Sequence, residues 1–364
     1  MTTIITSPAE KYAPDSKAGP VVRPGEFIFA AVYLDHGHIN NQTQGLLEAG
    51  ATLKWVFDPD PQKVAKFLQR FPAAKAARSL EEILDDPAVR LVAAAAIPCD
   101  RGPLGCRILR SGKDYFTDKA PLTTLAQLAD ARATVGATGG KFMVYYSERL
   151  HVECAVHAGT IVHSGAIGPV IQVLGLGPHR LNRSQRPAWF FQRAAYGGIL
   201  CDIGSHQFEQ FLHYSGATDA TILHARTGNY ANPADAGFED FGEASLVGDN
   251  GANNYVRVDW FTPDGLGTWG DGRTIILGTE GTIELRKYLD VGRSRTPDHL
   301  VIVDRQGEHH LELQGRVGYP YFGQLIRDCL DRTETAMTQA HAFKAAELSI
   351  RAQLLAENHA LQSA

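Results

Sequence analysis

The chain has 364 residues, of which 44% are hydrophobic and 21% are charged, and its formal net charge is -5. This composition is typical of a globular protein and excludes a disordered, collagen-like, coiled-coil or membrane-spanning chain. The charge balance offers no basic surface for nucleic acid or for an anionic membrane, and the length predicts about two domains.

The cysteine pattern and the first residues of the chain together predict the cellular compartment. There are five cysteines, widely spaced and without a CxxC pair, so we predict neither a disulfide framework nor a metal site. The chain does not start with a basic segment followed by an apolar run, so we predict no secretory signal and a cytoplasmic location. Residues 1–25 contain four prolines and predict an N-terminal arm, which is either disordered or wrapped around a partner subunit.

Residues 26–148 alternate between strand and helix patterns. The apolar run FIFAAVYL at residues 27–34 is typical of a strand buried on both faces. Further strands are predicted at residues 52–57, 89–97, 114–117 and 141–147. Helices are predicted at residues 41–50, 61–71, 79–85, 105–111 and 125–138. Repeated β-α units predict a Rossmann-type α/β domain, whose ligands bind at the carboxyl ends of the parallel strands.

The pattern changes after about residue 165, where short strands are separated by Gly, Pro, Asn and Asp turns. These strands are predicted at residues 170–176, 221–227, 243–248, 254–261, 273–277, 282–285, 300–303 and 310–313. Helices are predicted at residues 198–214, 321–331 and 342–359. We therefore expect an α+β domain with a large, mostly antiparallel sheet at residues 149–340, followed by a C-terminal helical segment at residues 341–364.

A dinucleotide-binding domain carries a glycine-rich turn after its first strand and an acidic residue after its second. Here the turn is YLDHGH and retains only Gly37, while Asp58 follows the second strand 21 positions later (58 minus 37). A carboxylate there can accept both ribose hydroxyls and would repel a 2′-phosphate, which favours NAD over NADP. The alternatives are a solvated turn acid at Asp58 and exposed loop residues at His36 and His38.

A second candidate segment is YFTDKAP at residues 115–121, where a predicted strand ends in an acid-lysine pair. Lys119 would lie at the carboxyl edge of the parallel sheet. An ammonium group there can bind a substrate hydroxyl and stabilise developing alkoxide charge. The alternative is a surface lysine paired with Asp118.

A third segment, YGGILCDIGSHQ at residues 196–207, places Asp202 and His206 one helical turn apart. A carboxylate beside a histidine raises the pKa of the imidazole and orients the imidazole ring, which suits acid-base catalysis. Gly197 and Gly198 allow close approach of a cofactor or of another backbone segment. The alternative is an ordinary salt bridge on one helix face.

These segments resemble the Gfo/Idh/MocA family, named after glucose-fructose oxidoreductase and inositol dehydrogenase. DKAP at residues 118–121 is similar to its Glu-Lys-Pro motif, and GGILCDIGSH at residues 197–206 is similar to its Gly-Gly-x-x-x-Asp-x-Gly-x-His helix. GTEGTIE at residues 278–284 resembles its late hairpin. Ile97 and Pro98 stand where the family usually has Thr-Pro.

The resemblance implies a Rossmann domain, an open-faced sheet domain whose outer face forms a homodimer or homotetramer, and a last helix packed on the first domain. It implies that Lys119 holds the reacting hydroxyl and contacts the nicotinamide ribose, that His206 is the general acid-base, and that Asp202 assists it. The expected cofactor-binding positions are Asp35, His36, Gly37, His38, Asp58, Ile97, Pro98 and Lys119.

Substrate contacts are expected from the segment before the catalytic helix. Arg180, Arg186 and Trp189 combine guanidinium groups with an indole, a pairing suited to carbohydrate through bidentate bonds and ring stacking. Tyr321 is a weaker candidate. The alternative for Trp189 is a packed loop.

The leading hypothesis is an NAD-dependent oxidoreductase acting on a secondary alcohol of a sugar, cyclitol or related polyol. Two alternatives remain open. One is a non-catalytic regulator on the same fold, suggested by the altered glycine turn. The other is an NAD-using lyase or glycosidase with transient oxidation, which would release no NADH.

Overall fold

The computed structural model describes residues 9–14 and 17–363. The chain divides into two compact units. The parallel-sheet unit comprises Ala18–Tyr145 and Tyr319–Phe343. The mixed-sheet unit comprises Tyr146–Gly318 together with the described residues of Met1–Lys17 and Lys344–Ala364. The predicted arm at residues 1–25 lies partly outside the described residues, while Tyr12 is buried and donates a hydrogen bond to Asp304 (2.6 Å) within the mixed-sheet unit.

The parallel-sheet unit is built on six parallel strands in the order β3-β2-β1-β4-β5-β6. The strands are β1 (Ile28–Val32), β2 (Thr52–Phe57), β3 (Lys75–Ala76), β4 (Leu91–Ala94), β5 (Asp114–Asp118) and β6 (Phe142–Tyr145). The order reverses between β1 and β4, and this reversal point is where open α/β sheets bind ligands. The α/β class predicted from the sequence is confirmed.

Five helices connect these strands, and three of them begin at a capping side chain. They are α1 (His38–Glu48), α2 (Pro61–Arg70), α3 (Leu80–Leu84), α4 (Pro98–Arg110) and α5 (Leu125–Thr138). The side chains of Asp60, Ser79 and Thr124 accept backbone N–H bonds from the first turns of α2, α3 and α5. Helix α4 begins seven residues before the predicted start at residue 105, because Pro98 occupies its first position, where the missing N–H costs nothing.

The mixed-sheet unit contains eight strands in the order β14-β13-β12-β11-β7-β10-β9-β8. They are β7 (Val170–Pro178), β8 (Ala220–Gly228), β9 (Phe241–Gly248), β10 (Asn253–Asp259), β11 (Arg273–Gly278), β12 (Gly281–Arg286), β13 (His299–Asp304) and β14 (Gly307–Glu312). Only β7 and β10 pair in parallel, and all other neighbours are antiparallel. The mostly antiparallel second sheet is therefore confirmed.

Helices of this unit cover one face of the sheet. They are α6 (Ser147–Leu150), α7 (Glu153–His163), α8 (Arg193–Tyr196), α9 (Ile199–Asp202) and α10 (Gly204–Ser215). The sequence did not predict α7, because it is buried on nearly all sides and so lacks an amphipathic period. The single helix predicted at residues 198–214 is two helices joined at Ile203.

Two helices end the chain, α11 (Pro320–Asp331) and α12 (Gln339–Ser363). Helix α11 lies in the parallel-sheet unit, where Gly45 of α1 leaves no room for a side chain against the ring of Phe322. The described residues from 344 onward group with the mixed-sheet unit, and the packing of the C-terminal segment on the first domain stays a prediction. Across the described ranges, none of the helices has both the length and the apolar character needed to span a bilayer.

Candidate active site

The carboxyl edge of the parallel sheet carries a buried acid-base pair. Asp118 ends β5 and is fully buried, and Lys119, the next residue, is 4% exposed. One oxygen of Asp118 accepts the backbone N–H of Lys119 (2.7 Å), and the other accepts a bond from the guanidinium of Arg101 (3.2 Å). Arg101 also donates to the Lys119 and Ala120 carbonyls. The backbone around Lys119 is therefore held in place by the Asp118–Arg101 pair.

Two histidines of the turn after β1 bind the same carboxylate. The Nδ1 atoms of His36 and His38 lie 2.7 Å from different oxygens of Asp118, and the two rings meet edge to face at 4.3 Å. Burial lowers the pKa of His36 to about 4, so its imidazole is neutral at physiological pH. Burial raises the pKa of Asp118, but His38, Arg101 and His36 outweigh it and keep the carboxyl ionised.

The rest of the nucleotide turn only partly matches the expected binding residues. Asp35 forms an ion pair with Lys63 (2.5 Å). The carboxylate of Asp58 accepts the N–H groups of Leu34 (2.7 Å) and Asp60 (2.8 Å), and its side chain is only 2% exposed. Lys63 lies 3.7 Å from it and partly neutralises it. Both oxygens of Asp58 therefore bind backbone N–H groups of the protein, and the side chain stabilises the turn.

The first turn of α1 remains available to a ligand. A Cβ built on Gly37 would meet no atom within 4 Å, and α1 begins at the next residue. A helix N-terminus with open space beside it suits an anionic group such as a pyrophosphate. Ile97 and Pro98 begin α4 after β4, at the same edge of the sheet. The residues present therefore fit a dinucleotide at the pyrophosphate position better than at the ribose.

The proposed acid-base residues lie in the mixed-sheet unit. Asp202 ends α9 and His206 lies in the first turn of α10, and both are buried. The chain stays helical through Ile203, so the two side chains are one turn apart as the spacing predicted. Gly197 and Gly198 precede them with φ angles of +89°, which only glycine adopts readily.

A buried polar network beside His206 was not foreseen from the sequence. Glu148 accepts a bond from Gln207 (2.8 Å) and pairs with Lys287 (3.2 Å). Its other oxygen has no hydrogen-bond partner and lies 3.8 Å from Nε2 of His179. Burial raises the pKa of Glu148, but Lys287, His206 and His179 outweigh it and lower the pKa to about 2. The network therefore leaves one buried oxygen of Glu148 without a hydrogen-bond donor.

The two arginines expected to bind substrate both donate hydrogen bonds to backbone carbonyls. Arg180 donates to the carbonyls of Pro263 (2.9 Å) and Leu266 (2.5 Å). Arg186 donates to the Leu181 carbonyl (2.8 Å), and its guanidinium lies over the rings of Phe190 and Trp260. Burial lowers the pKa of Arg186, while the nearby Asp202 opposes this. Of the two arginines, Arg186 is therefore the one that interacts electrostatically with Asp202.

Trp189, which was expected to stack on a carbohydrate, lies in a region of the mixed-sheet unit that is rich in aromatic rings. Trp189 is half-buried and contacts Phe190 at 5.9 Å. The ring of His179 lies against Trp260 (5.3 Å) and Trp269 (4.5 Å). Trp260 and Trp269 lie 81 and 90 positions after His179 in the sequence (260 minus 179 and 269 minus 179), so no local signal marked their contact with it.

Tyr321 lies in the other unit and has a packing role. It is 4% exposed, contacts Phe116 at 6.1 Å and donates a bond to the Val144 carbonyl (3.2 Å). The structure therefore gives it no exposed surface for a substrate.

Comparison with known proteins decides the family. A family model described as the GFO/IDH/MocA C-terminal domain matches residues 156–284. The crystal structure of a candidate oxidoreductase from Erwinia carotovora atroseptica SCRI1043 is 51% identical, covers 91% of this chain and 99% of its own, and gives a TM-score of 0.88. The chain belongs to the Gfo/Idh/MocA family. The resemblance stated from the sequence motifs is confirmed.

Other relatives of this family member are more distant. The scyllo-inositol 2-dehydrogenase (NAD(+)) of Bacillus subtilis (strain 168) is 24% identical, over 77% of this chain and 80% of its own length. A structure of levoglucosan dehydrogenase with NADH and levoglucosan is 16% identical and has a TM-score of 0.75 over 92% of this chain and 97% of its own. At that identity the likeness concerns the fold alone.

Proposed function

We propose that the protein is an NAD-dependent oxidoreductase that acts on a secondary alcohol or ketone of a sugar, cyclitol or related polyol. The observation that carries the proposal is Lys119, which follows β5 at the carboxyl edge of a nucleotide-type sheet and has its backbone fixed by Asp118 and Arg101. The open first turn of α1 and the dehydrogenase from Bacillus subtilis support it.

NAD, when bound, supplies the hydride acceptor. In the direction of oxidation, His206 takes the proton of the reacting hydroxyl, and Asp202 stabilises the protonated imidazole. The ammonium of Lys119 stabilises the charge that develops on the oxygen. The aromatic rings around His179 position the sugar.

Single substitutions test these roles. Lys119→Ala and His206→Ala should each lower turnover by orders of magnitude while the circular dichroism spectrum stays unchanged. NADH formation is followed by absorbance with a panel of sugars and cyclitols. Lys66→Ala and His224→Ala, at exposed positions, are the controls. Turnover at the wild-type level in either test variant would contradict the catalytic role proposed for that residue.

We propose NAD as the preferred dinucleotide, with a modest margin over NADP. Asp58 disfavours a 2′-phosphate, but the ammonium of Lys63 lies 3.7 Å away and offsets that charge. In Lys63→Ala the affinity for NADPH should therefore fall relative to that for NADH. Dissociation constants measured by fluorescence would then differ more between the two dinucleotides than in the wild type. If this variant loses affinity for both dinucleotides equally, Lys63 has no part in the choice.

A second candidate is a non-catalytic regulator, favoured by one observation. His36 and His38 occupy the turn in which dinucleotide-binding domains have glycine. Titration of the wild-type protein with NADH and NADPH separates the two candidates. The absence of binding to either dinucleotide would favour the regulator.

We also propose a homodimer or homotetramer that pairs through the sheet face opposite the helices. Ile275, Leu277 and Val303 alternate with buried residues on β11 and β13 and are 38–42% exposed. Exposed apolar residues grouped on one face are typical of a protein interface. We further propose a cytoplasmic location, because all five cysteines are free thiols.

A further inference from the structure

The turn after β1 and the end of β5 bring three metal-ligating side chains together. One nitrogen each of His36 and His38 and one oxygen of Asp118 lie within 4.8 Å of one another. The two histidines are two residues apart, whereas Asp118 is 80 positions further along the chain than His38. No motif in the sequence marks this set, since the fold alone joins its parts.

The cluster is held by its surroundings. Asp118 is fully buried, and its carboxylate is fixed by the backbone of Lys119 and by Arg101. The backbone N–H of His36 donates to the Ala95 carbonyl (3.0 Å), and the ring of His38 contacts Tyr145 at 5.5 Å. Ligands whose orientation is fixed in advance lose little conformational freedom on binding a metal.

The cluster is also open to solvent on one side. The side chains of His36 and His38 are 23% and 25% exposed, while Asp118 below them is 0% exposed. A metal held by three protein ligands would keep coordination positions for water or substrate, as open sites do.

The donor set selects the class of metal. Two imidazoles and one carboxylate suit a divalent transition metal such as Zn²⁺, Co²⁺ or Fe²⁺. Mg²⁺ and Ca²⁺ prefer oxygen ligands, of which this cluster offers only one residue. The positive charges of Arg101 and Lys119 oppose a second cation, so the site binds less tightly than one whose surroundings are neutral.

We propose that His36, His38 and Asp118 form a binding site for a divalent transition metal at the carboxyl edge of the parallel sheet. Without metal, the Nδ1 atoms of both imidazoles face the Asp118 carboxylate at 2.7 Å, and that of His38 is hydrogen-bonded to it. On binding, both imidazoles turn a nitrogen lone pair to the metal, and any proton released goes to solvent.

A second group of possible ligands provides the control. His299, His310 and Glu312 lie on the hairpin of β13 and β14. His310 and Glu312 are exposed, and both ring nitrogens of His299 are already engaged, with His310 (3.1 Å) and with the Thr296 carbonyl (2.9 Å). This surface group lacks a buried carboxylate.

The test uses the full chain, first treated with a chelator and then titrated with Co²⁺ and Zn²⁺ in the absence of dinucleotide. Visible absorption follows Co²⁺, and calorimetry gives the affinity for Zn²⁺. We expect one saturable site. His36→Ala and His38→Ala should each weaken binding by roughly tenfold to a hundredfold or more, and His310→Ala should leave it unchanged.

Either of two results would overturn the proposal. One is a wild-type protein that binds no Co²⁺ and no Zn²⁺. The other is binding that survives in both His36→Ala and His38→Ala, or that disappears in His310→Ala. Thermal unfolding of each variant without metal shows whether it is folded, and the wild-type titration decides the question even if a variant is not. Because no dinucleotide is added, the outcome is separate from that of the proposed oxidoreductase activity.

Discussion

Glu148 and Lys287 form an ion pair that is almost completely withdrawn from water. Their charged atoms are 3.2 Å apart, and the side chains are 2% and 0% exposed. Gln207 donates to the same oxygen of Glu148, and Lys287 donates to the side chain of Gln210 (2.7 Å). Lys287 therefore depends on Glu148 for its counter-charge, since water cannot reach either side chain.

Glu148→Gln is expected to destabilise the protein by about 3 kcal/mol or more, because it leaves the ammonium of Lys287 buried without a counter-charge. Lys287→Met should cost a similar amount. In the double variant the two losses should not add, because no buried charge remains. Urea unfolding of the four proteins of this cycle measures the coupling. Additive losses would show that the pair does not act as a unit.

Gly198 is a second position with a sharp steric prediction. Its φ is +89°, and a Cβ built there would overlap the side-chain amide of Gln353. Gln353 accepts the N–H of Leu200 (3.1 Å) and donates to Glu239 (2.8 Å), so it cannot move away without losing these bonds. Gly198→Ala should therefore combine backbone strain with a broken contact.

Gly112 is the matched control for that substitution. Its φ is +83°, but a Cβ built there would meet nothing within 4 Å. Gly112→Ala should cost about 1–2 kcal/mol from backbone strain alone, and Gly198→Ala clearly more. Thermal unfolding measures both. Equal losses would mean that the contact with Gln353 carries no weight.

The elements with strong local signals were predicted closely. The predicted bounds of β2 and α5 agree with the structure, and α5 has a capping threonine at Thr124 and a left-handed glycine at Gly139. These signals act within a few residues, so they can be read from the sequence. Lys119 and His206 were singled out because their motifs are local and match the family, and their roles stay a prediction.

The parts that could not be predicted depend on contacts between distant residues. Glu148 and Lys287 are 139 positions apart. Nothing near Asp118 in the sequence indicates that His36 and His38 bind it. Asp58 was expected at the ribose, and only the fold shows that its oxygens are used by Leu34 and Asp60. Such polar networks arise from the tertiary fold and leave no periodic pattern.

The proposed interface on the mixed sheet gives another prediction. Ile275→Asp combined with Leu277→Asp should dissociate the oligomer and leave each chain folded, because it places two charges on the paired faces. Light scattering gives the mass in solution. Leu354→Asp, at an equally exposed leucine on α12, is the control and should not change it. A monomeric wild type, or an unchanged mass in the double variant, would contradict the proposed interface.

Asp298 is expected to make stability depend on pH. It precedes β13 with φ +66° and accepts the N–H of Cys154 (3.0 Å). Burial raises its pKa to about 6, and the nearby Glu153 adds to the effect. The ordinary value is about 3.9 in the unfolded chain. The folded state therefore binds the extra proton between about pH 4 and 6, and the stability contributed by Asp298 is lost as the pH rises through that window.

Asp298→Asn should remove this dependence. The amide oxygen still accepts the Cys154 bond, and asparagine tolerates the left-handed conformation. We expect a gain of about 3 kcal/mol in the free energy of unfolding at pH 7.5, and little change at pH 4, where Asp298 is protonated in the folded state. Asp264→Asn, at an almost fully exposed carboxylate, is the control. If Asp298→Asn has the same effect at both pH values, the gain does not come from the buried charge.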